Sequence, residues 1–135
     1  MTLYSLICRL RYVLLVLLAV LWAGAFTLTH LPPANVPNFH ASDKTLHLVG
    51  FAGLASAFGM TLLAFGVPRR RRLILLFTVM LAYGAVDELT QPLAGRTADI
   101  EDWLFDAAGT FIAAGLVEAI ALIVGERKKP IASSQ

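Results

Sequence analysis

The chain has 135 residues, 58% of them hydrophobic and 15% charged, whereas soluble domains carry about 25% charged residues, so an ordinary water-soluble globule is excluded. A mean hydropathy of +0.73 points to an integral membrane protein. The formal net charge of +2 is too small to suggest nucleic-acid binding, and a single cysteine, Cys8, rules out an intramolecular disulfide.

The apolar runs read as an all-α fold, a polytopic bundle of four transmembrane helices at about 12–31, 47–67, 73–91 and 103–124 within one domain, 1–135. Residues 12–31 contain no Asp, Glu, Lys or Arg and follow Arg9 and Arg11, the pattern of a spanning helix with a positive cytoplasmic flank. A cleaved signal peptide competes, since Ala23, Gly24 and Ala25 match a small-residue cleavage pattern. Hydrophobicity continues through Phe26 and Leu28, which favours a retained anchor.

Pro32, Pro33 and Pro37 end the first helix, because proline fixes φ and lacks an N–H, and Ser42 is placed to cap the second. The second run is rich in small residues, and Gly53 and Ala57, four apart on one face, are expected to let a neighbouring helix approach closely. That makes the second helix the expected centre of the bundle. Pro68 then closes it, and Arg69, Arg70, Arg71 and Arg72 form a polybasic turn before the third run. Pro92 is expected to close the third helix and Gly125 the fourth, with Arg127, Lys128, Lys129 and a polar tail, 130–135, beyond.

Nine of the eleven Lys and Arg residues (Arg9, Arg11, Arg69, Arg70, Arg71, Arg72, Arg127, Lys128 and Lys129) belong to one side of the membrane, and Lys44 and Arg96 to the other. The positive-inside rule therefore places both termini in the cytoplasm, with the 1–2 and 3–4 loops facing outward.

Those two loops and their flanking helix ends carry nearly all the polar chemistry. Asp43 and His47 are four apart, so a carboxylate stacks beside an imidazole and can orient it or share a metal with it. Asp87 and Gln91 are four apart at the end of the third helix, with Glu88 on the adjoining face. Asp99 and Asp102 are three apart, and Asp102 and Asp106 four apart, so the fourth helix opens with an acidic ridge. Capping of free N–H groups accounts for Asp43, Asp99, Glu101 and Asp102 one by one. It does not account for Asp87 and Glu88, which lie near a helix C-terminus where the dipole disfavours negative charge. Arg96, whose planar fork holds a carboxylate bidentately, is their expected partner. Glu118 reads as a lone acid near the other end of the fourth helix.

The pattern DKTLHLVGF from Asp43, DELTQ from Asp87 and GRTADIEDWLFDAAG from Gly95 resembles the VanZ-like family of small bacterial membrane proteins. Asp43, Lys44, His47, Asp87, Glu88, Gln91, Arg96, Asp99 and Asp102 fill its polar positions, and Gly109 its small one. Asp106 departs from the family's Asn and adds a charge. The resemblance implies a cell-envelope role, with low-level resistance to the glycopeptide teicoplanin as the family's founding association.

The resulting expectation is a membrane protein with a polar outward pocket, built from those nine residues, for an envelope component with a lipid-linked or anionic headgroup. Its partners are then the lipid bilayer and that ligand, with no nucleic acid and no cofactor or bound metal. One rival is a membrane hydrolase or transferase using His47 as general base oriented by Asp43, or Asp87, Glu88, Asp99 and His47 as metal ligands. No H-E-x-x-H motif, Ser-His-Asp ordering or outward Cys nucleophile supports it. The other rival is a structural or partner-binding subunit whose polar residues tie helices together.

Overall fold

The computed structural model describes residues 2–35, 37 and 40–125. Five α-helices run in order: α1 Leu3–Arg9, α2 Arg11–Thr29, α3 Asp43–Ala64, α4 Arg69–Thr90 and α5 Ile100–Ile123, with 3₁₀ turns at Pro33–Asn35 and Gln91–Ala94 and no strand among the described residues. The last four are long and apolar enough to cross a membrane. Short α1 is joined to α2 at Leu10 alone. The strongly basic segment after Gly125 and the tail lie outside the described residues.

The helix boundaries shift from those expected, for local reasons. Ser42 caps α3, its hydroxyl accepting from Thr45 N at 3.2 Å, so the helix begins at Asp43 and includes His47 in its second turn. It ends before Pro68 is reached. Gly66 adopts a left-handed φ of 71°, with Gly66 N donating to Leu63 O and Val67 N to Leu62 O, the Schellman termination. Pro68 instead precedes the first turn of α4, so the four arginines lie within the helix and not in a turn before it. Pro92 sits inside the 3₁₀ turn after α4, and Asp99 starts α5 by accepting from Glu101 N at 2.8 Å.

Positive charge on the first turn of a helix opposes its dipole. Arg72 turns inward, fully buried, where Nε donates to Glu118 Oε1 at 2.8 Å and Nη1 to Val67 O at 3.0 Å. Arg69 Nε reaches the other oxygen of Glu118 at 3.1 Å. Glu118 is therefore not a lone acid, and part of the basic cluster is structural.

Helix α3 lies at the centre, touching α1, α2, α4 and α5. Within lipid, helices associate through close van der Waals contact and polar ties. The close contact is made at Gly109, where a Cβ would lie 2.5 Å from Leu48 O and 2.9 Å from Ala52 N of α3, and at Gly59, where it would lie 2.9 Å from a Val117 methyl. Gly53 has no atom of a neighbour within 4 Å of its Cβ position, so it is not the close contact expected of it, whereas Ala57 does pack against the core. Helix α2 is peripheral, burying Leu18 and packing Trp22 against the core, with its ring 4.9 Å from Tyr83 and 6.0 Å from Phe58.

Candidate functional site

The antiparallel run of the four long helices gathers the C-terminal ends of α2 and α4 and the N-terminal ends of α3 and α5 at one end of the bundle. At that end His47, Asp87, Glu88, Gln91, Asp102 and Asp106 are all buried. His47 Nδ1 and Asp106 Oδ1 are 2.9 Å apart, linking α3 to α5. With a carboxylate as the acceptor, Nδ1 carries the proton. The ring's other nitrogen, Nε2, stands 3.9 Å from both Glu88 Oε1 and Asp102 Oδ2.

The helix-end carboxylates of α4 are held by neutral donors. Asp87 accepts from the Thr29 hydroxyl of α2 at 2.7 Å and from Gln91 Nε2 at 3.2 Å. Glu88 accepts from Gln91 Nε2 at 3.1 Å and from the backbone N–H of Asp99 at 2.9 Å. His30 adds a second tie between α2 and α4, with Nε2 2.8 Å from the Thr90 hydroxyl. Three buried atoms here, Gln91 Oε1, Asp102 Oδ1 and Asp106 Oδ2, have no hydrogen-bond partner among the described residues.

Arg96 does not serve these carboxylates. Its Nη2 lies 2.8 and 3.0 Å from the two oxygens of Asp43, so it bridges the 3–4 loop to the start of α3 above the buried cluster. Its approach to Asp43 follows from the chain path: the turn through Gly95, at φ 75°, carries the loop across the bundle end towards α3 and away from α4. Lys44 pairs with Glu101 on the exposed surface.

Beneath the Asp43–Arg96 pair lies a cavity of about 270 Å³, lined at its polar end by Asp43, His47 and Arg96 and along its wall by apolar side chains including Ala25, Leu28, Val49 and Phe51. Tyr83 contributes from α4.

A family model described as VanZ/LLP1 matches residues 12–122. The chain belongs to the VanZ/LLP1 family. Neither a curated protein nor a solved structure matches it.

In this VanZ/LLP1 protein the nine expected pocket residues separate into layers. His47, Asp87, Glu88, Gln91 and Asp102 form the buried cluster, Asp43 and Arg96 sit above it at the cavity, Asp99 caps α5, and Lys44 stands outside at the surface. Asp43 does not orient His47; Asp106 does. The departure at Asp106 thus falls on the imidazole's direct partner, and Gly84 makes room for it: a Cβ there would lie 3.0 Å from Asp106 Oδ2. Thr29, His30 and Thr90 escaped the sequence reading. The first two lie at the end of a run that reads simply as apolar, and a hydroxyl or imidazole there signals a site only once a carboxylate is known to face it.

Proposed function

We propose that this VanZ/LLP1 protein holds an amphiphilic envelope component at the acidic end of the bundle, with its apolar part in the cavity and its anionic headgroup against Arg96. The observation that carries this reading is the cavity itself: an apolar wall shared by α2 and α3, ending at Arg96, Asp43 and His47. Its volume of about 270 Å³ falls just below the usual range of ligand pockets, about 300–1,000 Å³. It therefore suits the segment next to a headgroup, with the remaining tail in the bilayer. The outer faces of α2 and α3 beside it carry Leu21, Phe26 and Val49 exposed, as a lipid-facing surface requires. A guanidinium has five donors in a planar fork, and Asp43 is contacted by one of its nitrogens, so Arg96 has donors to offer a phosphate. The asymmetry of Lys and Arg supports outward placement of this end, and the resemblance to small bacterial membrane proteins supports an inner-membrane location. A contribution to glycopeptide response, the family's founding association, would act through that envelope ligand.

The test is binding of a polyprenyl phosphate to the purified protein in nanodiscs. Loss of a charge-assisted hydrogen bond worth about 1.5–3 kcal/mol weakens affinity about tenfold or more, which is expected for Arg96→Ala and not for Lys44→Ala. Equal affinities for Arg96→Ala and the parent defeat the reading.

The His47–Asp106 pair beside the cavity favours a second reading, a hydrolase or transferase on the same lipid-linked class with His47 as general base. In that case His47→Gln abolishes turnover of the bound polyprenyl phosphate while leaving its binding close to that of the parent.

A further inference from the structure

The buried cluster has a geometry that hydrogen bonding leaves unexplained. Asp106 holds the imidazole of His47 by Nδ1 at 2.9 Å, which directs Nε2 away from α5's second turn and towards Glu88 Oε1 and Asp102 Oδ2, both 3.9 Å distant. That separation is too long for a hydrogen bond. It is the separation of atoms that share an ion, since two donors each 2.0–2.2 Å from one metal stand about 3–4.4 Å apart at ordinary coordination angles. Donor atoms of Asp43, His47 and Asp102 all lie within 4.8 Å of one another, and Asp43, half-exposed and held by a single nitrogen of Arg96, can turn one oxygen inward by the remaining few tenths of an ångström while the other stays on Arg96.

Two further observations point to a cation there. Asp102 is only 4% exposed, and its second oxygen, Oδ1, has no partner among the described residues, so a carboxylate facing His47 is left unsatisfied. Charge gives the other. Asp87, Glu88, Asp102 and Asp106 are buried together; two imidazoles, His30 and His47, and the neutral side chains of Thr29, Tyr83 and Gln91 face them, and Lys44 acts on Asp102 only from the surface, where it pairs with Glu101. Buried carboxylates without a matching positive charge are strongly disfavoured.

We propose that Asp43, His47 and Asp102 bind one divalent first-row metal ion, Zn²⁺ or Mn²⁺, with Asp106 orienting the imidazole from behind. A carboxylate holding the far nitrogen of a metal-bound histidine is the usual support of such a ligand. One imidazole with carboxylate oxygens suits these ions better than Cu(I), which prefers sulfur, or Mg²⁺, which prefers oxygen throughout. His47, Glu88 and Asp106 form a second, overlapping group, but an ion there competes with the hydrogen bond between His47 and Asp106. Asp43 and His47 both line the cavity, so the positions not taken by protein face it. The site does not depend on which lipid the cavity takes.

The experiment uses the full chain purified in micelles without a histidine tag, stripped with a chelator and titrated with Zn²⁺ and Mn²⁺ in separate runs, stoichiometry being read by elemental analysis after dialysis. About one ion per chain is expected. Asp102→Asn, which keeps the shape and removes the charge, weakens it at least 100-fold; Asp106→Asn weakens it about 10–100-fold, the usual effect of losing a supporting partner; Glu101→Gln, on the exposed acidic surface, leaves it unchanged. Nitrogen coupling from an imidazole in the electron paramagnetic spectrum of the Mn²⁺-loaded parent protein is expected as well, and it needs no variant to fold. Failure of the folded parent to retain either ion overturns the proposal, as does parent-like affinity in Asp102→Asn. Stoichiometric Mn²⁺ without nitrogen coupling removes His47 from the site and overturns it equally.

Discussion

Arg96 and Arg72 are the same residue at opposite ends of the bundle, and their surroundings predict opposite consequences of losing them. Arg96 pairs with an Asp43 whose side chain is 52% exposed, and such pairs are worth about 0–1 kcal/mol. Arg72 is fully buried against Glu118, which is 13% exposed, and removing one partner of a buried pair costs about 3–5 kcal/mol. Because Arg69 also reaches Glu118, the lower end, about 3 kcal/mol, is expected for Arg72→Ala. Thermal or denaturant unfolding in micelles checks both: a large drop for Arg72→Ala beside a near-parent Arg96→Ala. Which residues are polar and which end they share was legible in the sequence, from charge asymmetry and spacing alone. Their partners were not. Arg96 lies near Asp87 and Glu88 along the chain, yet it meets Asp43, 53 positions away, because the turn at Gly95 carries it across the bundle end. The pairing of His47 with Asp106 spans 59 positions and depends on how α3 and α5 are rotated about their axes, which local spacing does not encode.

The elements themselves were nearly all readable, since a spanning helix is defined by length and apolarity. What periodicity could not supply was the face each helix turns inward. Small residues occur around most of α3, and in the sequence Gly53 and Ala57 qualify as well as Gly59. The structure distinguishes them through α5: Gly109 is pressed against the backbone of α3 at Leu48 and Ala52, and Gly53 faces nothing. Backbone cannot yield as a flexible side chain can. Gly109→Ala must therefore separate α3 from α5 close to His47 and Asp106, and overpacking of this kind costs about 1–3 kcal/mol. Gly53→Ala is expected to be neutral or slightly stabilising, by up to about 1 kcal/mol, because alanine is the better helix former. Comparing the two midpoints of unfolding tests the assigned interface, and a Gly53→Ala variant that unfolds as early as Gly109→Ala contradicts it.

Over the whole molecule, charge is divided between the two ends. Arg9, Arg11 and the four arginines that open α4 stand at one end, while Lys44, Arg96 and the buried acidic cluster stand at the other. The positive-inside rule counts Lys and Arg in short loops near the spans, and from it we expect the basic end in the cytoplasm and the acidic end with its cavity outside. Three of the four arginines at the start of α4 are exposed, and Arg70 and Arg71, outside the ties of Arg69 and Arg72 to Glu118, would meet anionic headgroups if this end is cytoplasmic. Alkaline phosphatase inserted in the 3–4 loop near Thr97 is therefore expected to be active, and a fusion following Gly125 inactive, with green fluorescent protein giving the reverse. An inverted pattern would put the cavity on the cytoplasmic side, out of reach of a headgroup in the outer leaflet, and would remove the envelope ligand in its proposed form. It would leave the metal site untouched, since Asp43, His47 and Asp102 converge through the packing of α3 on α5 whichever way the bundle is inserted. Topology and metal retention are thus separate measurements, and together they separate a protein that serves the outer face of the membrane from one that uses the same cluster facing inward.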